Sequence, residues 1–172
     1  VLAAVLAKGE SNFLNCAMEP EITDLCECLI AMGAEIYGVG TGDLKIIGKD
    51  SLSGTEYSVL PDRIEAGTYM IAAAATRGNI LLKGIKIDIL SNLISALRAA
   101  GVSVEEENGD IRVKHSGEIK PVDISTAPYP GFSTDLQAQF MTLMIFSNGV
   151  SEVKENIFEN RFMHVPELCS MG

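Results

Sequence analysis

The 172-residue chain is 47% hydrophobic with a formal net charge of −10, a composition that folds and buries a sizeable core rather than staying disordered. The acidity excludes a nucleic-acid-binding surface, which needs Lys and Arg gathered on one face to neutralise phosphates. The longest apolar runs, residues 70–75 and 140–146, fall far short of the roughly 20 residues that cross a bilayer, so no membrane span is expected.

At the N-terminus, Val1-Leu2-Ala3-Ala4-Val5-Leu6-Ala7-Lys8 has no initiator methionine and no basic leader, and reads as mid-protein sequence within an apolar helix. Glu19-Pro20-Glu21 opens another helix, because Pro is favoured at the first helical position. Glu19 is there as an N-terminal charge. Ile22, Leu25, Cys26 and Leu29 fall on one apolar face, which makes Cys26 a reduced core thiol. Cys16, Cys26, Cys28 and Cys169 have no zinc-type pairing, since residues two apart on a helix do not face each other. Gly33 follows the helix as a left-handed end residue, and residues 34–37 pair with 44–47 in a hairpin around Gly42-Asp43. Gly38-Val39-Gly40-Thr41-Gly42-Asp43 superficially resembles a phosphate loop, but nothing after it opens a helix, so it is read as the hairpin turn. A strand is expected at residues 57–60. Pro61 then breaks strand pairing and sets a boundary between residues 1–60 and 61–172.

Asp62-Arg63 precedes a helix around residues 69–76 that is apolar nearly all round and therefore buried. A cation opposes the dipole at that end, so Arg63 is either solvated or an anion ligand. After Gly78 come a strand and a second helix ending in Leu97-Arg98-Ala99-Ala100-Gly101, then a hairpin of residues 102–105 and 111–114. Alternation in Ile111-Arg112-Val113-Lys114 leaves one sheet face in water, and His115, at the hairpin end, is expected to be exposed. A long irregular stretch leads into a third buried helix at residues 136–146. Thr134-x-x-Gln137 matches a capping box. Asp135, in the first turn, is either a charge favoured by the dipole or a carboxylate held beside a substrate hydroxyl. Arg161 has a similar choice between a local carboxylate and a ligand phosphate, and His164 reads as packed or solvated.

The glycines reveal a repeat. Gly9, Gly78 and Gly149 follow the first helices, and Gly33, Gly101 and Gly172 the second, both sets with a period of about 70 residues. The unit is helix, Gly, strand, helix, Gly, hairpin. Buried helices inside and half-exposed sheets outside make the expected fold an α/β (α+β) inside-out barrel of such units. The first unit begins within its helix and the third stops before its hairpin, so the array is expected to be truncated at both ends.

Four segments add a family likeness: Glu19-Pro20-Glu21-Ile22, Pro61-Asp62-Arg63-Ile64-Glu65-Ala66-Gly67-Thr68, residues 126–139, and Ile157-Phe158-Glu159-Asn160-Arg161-Phe162-Met163-His164-Val165-Pro166-Glu167-Leu168. Over essentially its whole length the chain resembles the UDP-N-acetylglucosamine enolpyruvyl transferases. That resemblance implies six repeat units in two domains, with residues 1–60 as the last unit of the first domain and 61–172 as the first and most of the second unit of the other. It implies a cytoplasmic bacterial enzyme of peptidoglycan-precursor synthesis that needs no metal or organic cofactor. Its substrates would be UDP-N-acetylglucosamine and phosphoenolpyruvate. Asp135 matches the proposed general base at the sugar 3′-hydroxyl. Ile157 matches a backbone contact to the nucleotide sugar, with Phe158 beside it, while Glu19, Arg63 and Arg161 match charged residues lining the interdomain cleft. Ser133 stands where Pro is usual, Met18 where Arg is, and Tyr129 where many members have His. The family's catalytic cysteine loop, its Lys-Asn pair and its phosphoenolpyruvate-binding arginine are not in the chain, which is therefore expected to be inactive without the remainder of the polypeptide. Two other readings remain: a 5-enolpyruvylshikimate-3-phosphate synthase-like enzyme, and a non-catalytic UDP-sugar-binding module.

Overall fold

In the computed structural model, which describes all of residues 1–172, helices end just before Gly33 and Gly101. The chain forms two compact units, Val1–Leu60 and Pro61–Gly172. In the first, β1 (Glu10–Phe13), α1 (Pro20–Ala31), β2 (Glu35–Tyr37) and β3 (Leu44–Ile47) make an antiparallel sheet of order β1-β3-β2 with one helix. Cys26, Leu29, Ile36, Leu44 and Ile46 form its core together with Ala4 and Val5. Burial pushes the Cys26 thiol upward from its ordinary pKa, as an apolar core does to any group that would become an anion.

The second unit contains α2 (Arg63–Ala75), β4 (Asn79–Leu82), α3 (Ser91–Ala99), β5 (Ser103–Glu107), β6 (Asp110–Lys114), β7 (Ile124–Ser125), α4 (Gln137–Met144), β8 (Val153–Lys154) and α5 (Val165–Ser170). Its main sheet has the order β4-β6-β5, the same pattern as β1-β3-β2, with the second hairpin strand central. The register repeats as well. Glu10 and Glu35 both lie opposite Ile47, and Asn79 and Ser103 both lie opposite Lys114. Gly33 (φ +100°) and Gly101 (φ +92°) close α1 and α3 in the left-handed conformation. At each end the next amide reaches back to the same helical carbonyl, Ala34 to Leu29 and Val102 to Leu97, both at 2.9 Å. This double closure satisfies carbonyls that a helix end leaves free, and only glycine enters it without strain.

The core of the second unit gathers Met70, Leu97, Val113, Phe140 and Leu143 from α2, α3, β6 and α4. Within α2 only Glu65, Tyr69 and Ala72 are exposed, a stripe at i, i+4 and i+7 along an otherwise covered helix. Gly67 lets neighbours approach closely, since a Cβ there would sit 2.8 Å from Leu136 Cδ1 and 2.9 Å from Leu93 Cδ2. Asp62 caps α2 by accepting hydrogen bonds from the Ile64 and Glu65 amides at 2.8 and 3.0 Å. Losing such a cap costs about 0.5–2 kcal/mol, so Asp62→Ala is expected to lower the unfolding free energy by that amount, read as a lower denaturant midpoint at an unchanged m-value. An unchanged midpoint would mean that the helix start is held otherwise. At the sheet margin, β5 presents Glu105, Glu106 and Glu107 to solvent, with Arg112 paired to Glu107 at 2.9 Å.

Several expectations are corrected. Residues 2–6 form turns rather than a regular helix, since the Val1 carbonyl accepts from both Ala4 and Val5 and no helical ladder follows. Residues 57–60 form no strand. Their groups bond instead to Asp24: the Tyr57 hydroxyl donates to its carboxylate at 3.0 Å and the Leu60 amide at 3.1 Å. Desolvation, aided by that carboxylate, pushes the Tyr57 pKa up to about 12. His115 is buried at 4% exposure. Its amide donates to Gly78 O at 3.1 Å, and its side chain continues the inward series of Ile111 and Val113 by the two-residue period of a strand. It lines a hollow of about 350 Å³ with Arg77, Ile119 and Phe146, its Nε2 lacking a hydrogen-bond partner.

Candidate functional site

Two helix starts build the site in the second unit. Arg63 is the first residue of α2 and is 92% shielded, at 8% exposure. Its guanidinium lies 5.7 Å from the Tyr129 ring centroid, within the range in which an aromatic face attracts a cation. The Asp62 carboxylate beside it offsets the unfavourable placement of a cation at this end of a helix. The loop carrying Tyr129 is tied to α3, Asn92 Nδ2 donating to the Pro130 carbonyl.

A short 3-10 turn, Thr134–Leu136, leads into α4. Here the capping-box expectation fails. Ser133 is the cap, its Oγ accepting from the Asp135 amide at 3.3 Å, while the Thr134 hydroxyl donates to Glu155 at 2.8 Å. Gln137 does not reach back to the cap: it is fully buried, and its side-chain amide has no hydrogen-bond partner. Gln139 instead spans the helices, donating to the Asp135 carbonyl at 2.9 Å and to Thr68 Oγ1 at 3.1 Å.

Asp135 and Arg161 meet. Arg161 Nη2 donates to Asp135 Oδ1 at 2.7 Å, with side-chain exposures of 38% and 52% respectively. The Arg161 guanidinium also lies 5.2 Å from the Phe158 ring centroid. A pair this open to water contributes only about 0–1 kcal/mol, so a ligand group can replace either partner at little cost. Ile157 and Phe158 are exposed next to it, at 37% and 56%. Their backbone is held by Glu155, whose Oε1 accepts from both amides, at 2.8 and 3.1 Å. Burial alone would raise the Glu155 pKa, but hydrogen bonds from Ile157, Thr134, Thr126 and Phe158 outweigh it and hold the carboxyl below its usual range.

Glu19 belongs to the first unit, where it precedes Pro20 at the start of α1 without a side-chain capping bond. Its Oε2 is shielded and has no hydrogen-bond partner. His164 is partly buried, its ring 6.4 Å from that of Phe162. Asp135, Phe158, Arg161 and the Ile157 backbone thus form one cluster, and Arg63 with Tyr129 another feature of the same unit. Sequence reasoning missed Ser133 as a cap, Asp62 as a cap and Glu155 altogether. Asp62 followed by a helix was a readable cap signal; Glu155 had none, because its side-chain partners Thr126 and Thr134 lie 29 and 21 residues away.

Chemically, the cluster offers a carboxylate that can accept a proton and a guanidinium that can hold an anion or steer the carboxylate. A profile described as EPSP synthase (3-phosphoshikimate 1-carboxyvinyltransferase) matches residues 1–172. The UDP-N-acetylglucosamine 1-carboxyvinyltransferase of Rickettsia akari (strain Hartford) is 59% identical over all 172 residues, and that of Rickettsia felis (strain ATCC VR-1525 / URRWXCal2) 58%. The chain spans 41% of the length of these curated relatives. Among solved structures, the enolpyruvyl transferase NikO from Streptomyces tendae covers 99% of the chain, which spans 41% of it, with a TM-score of 0.87 at 24% identity, a likeness of fold. EPSP synthase from Acinetobacter baumannii covers 88%, with the chain spanning 36% of it, at a TM-score of 0.56 and 27% identity. With a match running from the first residue to the last and a fold shared with enolpyruvyl transferases, the chain belongs to the EPSP synthase (3-phosphoshikimate 1-carboxyvinyltransferase) family.

Proposed function

We propose that the full-length protein containing these residues transfers the enolpyruvyl group of phosphoenolpyruvate to the 3′-hydroxyl of UDP-N-acetylglucosamine, a cytoplasmic step of bacterial peptidoglycan-precursor synthesis. One observation carries the choice of acceptor: 59% identity over every residue to a UDP-N-acetylglucosamine 1-carboxyvinyltransferase, against 27% to an EPSP synthase over 88% of the chain. In this reading residues 1–60 are the last repeat unit of one domain, and residues 61–172 are the first and most of the second unit of the other.

In the same reading Asp135 accepts the proton of the 3′-hydroxyl as that oxygen bonds to C2 of phosphoenolpyruvate. C3 takes a proton from an acid outside these 172 residues. The tetrahedral adduct then loses phosphate from C2 and a proton from C3 to restore the double bond. A carboxylate is a weak base at neutral pH, so its value lies in position and in accepting the proton as the hydroxyl becomes acidic during attack. Arg161, bonded to Oδ1 at 2.7 Å, orients the carboxylate and leaves Oδ2 for the hydroxyl. Ile157 and Phe158 flank the nucleotide sugar, and Glu19 in the first unit and Arg63 in the second are charged substrate-binding residues.

The family profile's own description favours a second acceptor, shikimate 3-phosphate, and one assay separates the two. Full-length protein supplied with phosphoenolpyruvate is expected to release phosphate when UDP-N-acetylglucosamine is added and not when shikimate 3-phosphate is added. The reverse result would overturn the proposal. Binding of the UDP-sugar without phosphate release would favour the non-catalytic module. The 172-residue chain by itself is expected to release none.

A further inference from the structure

We propose that Glu155 is a positioning residue that holds Asp135 and Arg161 in register, an inference that rests on the transferase site proposed above. Its carboxylate ties the backbone just after it to Thr126 and Thr134, 29 and 21 residues earlier in the chain. Oε1 accepts from the Thr126 hydroxyl at 2.8 Å, the Ile157 amide at 2.8 Å and the Phe158 amide at 3.1 Å; Oε2 accepts from the Thr134 hydroxyl at 2.8 Å. Each end of the Asp135–Arg161 pair is thereby fixed. Thr134 immediately precedes Asp135, and Phe158 carries the ring against which Arg161 lies.

The anchor beneath is rigid. Thr126 is 1% exposed, its amide donates to the Lys154 carbonyl at 2.9 Å as an extension of the β7–β8 pairing, and its hydroxyl oxygen accepts from the Asn156 amide at 2.8 Å. Asn156 adds bonds to Ser125 Oγ at 2.8 Å and to the Thr126 carbonyl at 3.0 Å. The four donors to Glu155 are neutral groups directed at two oxygens, an arrangement that specifies shape rather than charge balance. Removing it frees the segment of residues 155–161 from the start of α4, and Arg161 then no longer presents Asp135 in one orientation.

Glu155→Gln is the conservative variant: its remaining oxygen keeps the three bonds at Oε1, and the Thr134 hydroxyl can rotate to accept from the new amide. Glu155→Ala removes all four. In full-length protein, Glu155→Ala is expected to lower kcat/KM by about 10²-fold, the scale of a misplaced catalytic group. Glu155→Gln is expected to keep most of the activity, and amide hydrogen exchange at Ile157 and Phe158 is expected to speed up in Glu155→Ala but not in Glu155→Gln. Turnover is normalised to the folded fraction from the melting curve, which removes any purely structural effect. If Glu155→Ala does not fold, Glu155→Asp, a methylene shorter, takes its place with the same expected direction. Near-wild-type kcat/KM in folded Glu155→Ala, or equal loss in Ala and Gln variants, would overturn the proposal. An inactive wild-type protein would overturn the transferase reading by itself, and unchanged exchange at Ile157 and Phe158 in Glu155→Ala would overturn the clamp independently.

Discussion

Asparagine in place of Asp135 is expected to lower the turnover of the full-length protein by about 10²–10⁴-fold, the usual loss when a positioned general base is removed. Folding should suffer little. Ser133, not Asp135, caps the turn that leads into α4, so the substitution removes only a charge near a helix start, about 0.3–1 kcal/mol, and an exposed ion pair, about 0–1 kcal/mol. Asparagine keeps the size of the side chain and an oxygen that can still accept from Arg161. The measurement is steady-state kcat of Asp135→Asn beside its melting temperature and its affinity for UDP-N-acetylglucosamine. If kcat per folded molecule stays near that of the wild type, Asp135 is a helix-start charge and the proton goes elsewhere.

The largest expected effect on stability comes from Phe140→Ala. Phe140 is fully buried in α4, edge-on to Phe132 with ring centroids 5.4 Å apart and planes at 71°. Truncating a buried Phe to Ala leaves a cavity that typically costs about 3–5 kcal/mol, and the lost aromatic pair accounts for about 0.5–1.5 kcal/mol beyond area alone. Phe132 lies in the loop just before Asp135, so the cavity also loosens the approach to the site. Denaturant unfolding of the 172-residue chain should show a drop of that size for Pro61–Gly172. A loss under about 1 kcal/mol would contradict the packing described for this core.

Repetition was legible in the sequence because its markers are local. Gly33 and Gly101 stand where a helix must turn left-handed, and both adopt positive φ with matching hydrogen bonds. The hairpins were legible for the same reason, since Gly42-Asp43 ends the connection of residues 38–43 between β2 and β3, and Gly109 completes the two-residue turn between β5 and β6, where Asp110 already pairs with Glu107. Local signals misled wherever a distant group supplied a better partner. Thr134 has the spacing of a cap, yet its hydroxyl goes to Glu155, 21 residues away. Residues 57–60 have the composition of a strand, yet Asp24 takes their donors across more than 30 residues. His115 looked exposed at the end of its hairpin, but counting inward positions from Ile111 and Val113 would have buried it. The meeting of Asp135 with Arg161 could be read only as an open choice, since a spacing of 26 residues has no helical or strand periodicity to bring the two together.

The acidic run on β5 bears on how the protein stays apart from its own copies. A strand at a sheet margin offers an unsatisfied row of amides and carbonyls to any second chain, and a row of like charges is one of the devices that keeps two such margins from joining. Glu105, Glu106 and Glu107 are exposed on β5, which pairs with β6 alone in its sheet. Arg112 holds the Glu107 carboxyl below its ordinary pKa through a hydrogen bond, so that charge persists as the medium is acidified. Two copies brought margin to margin would bring six carboxylates together, a repulsion that disfavours self-association through β5.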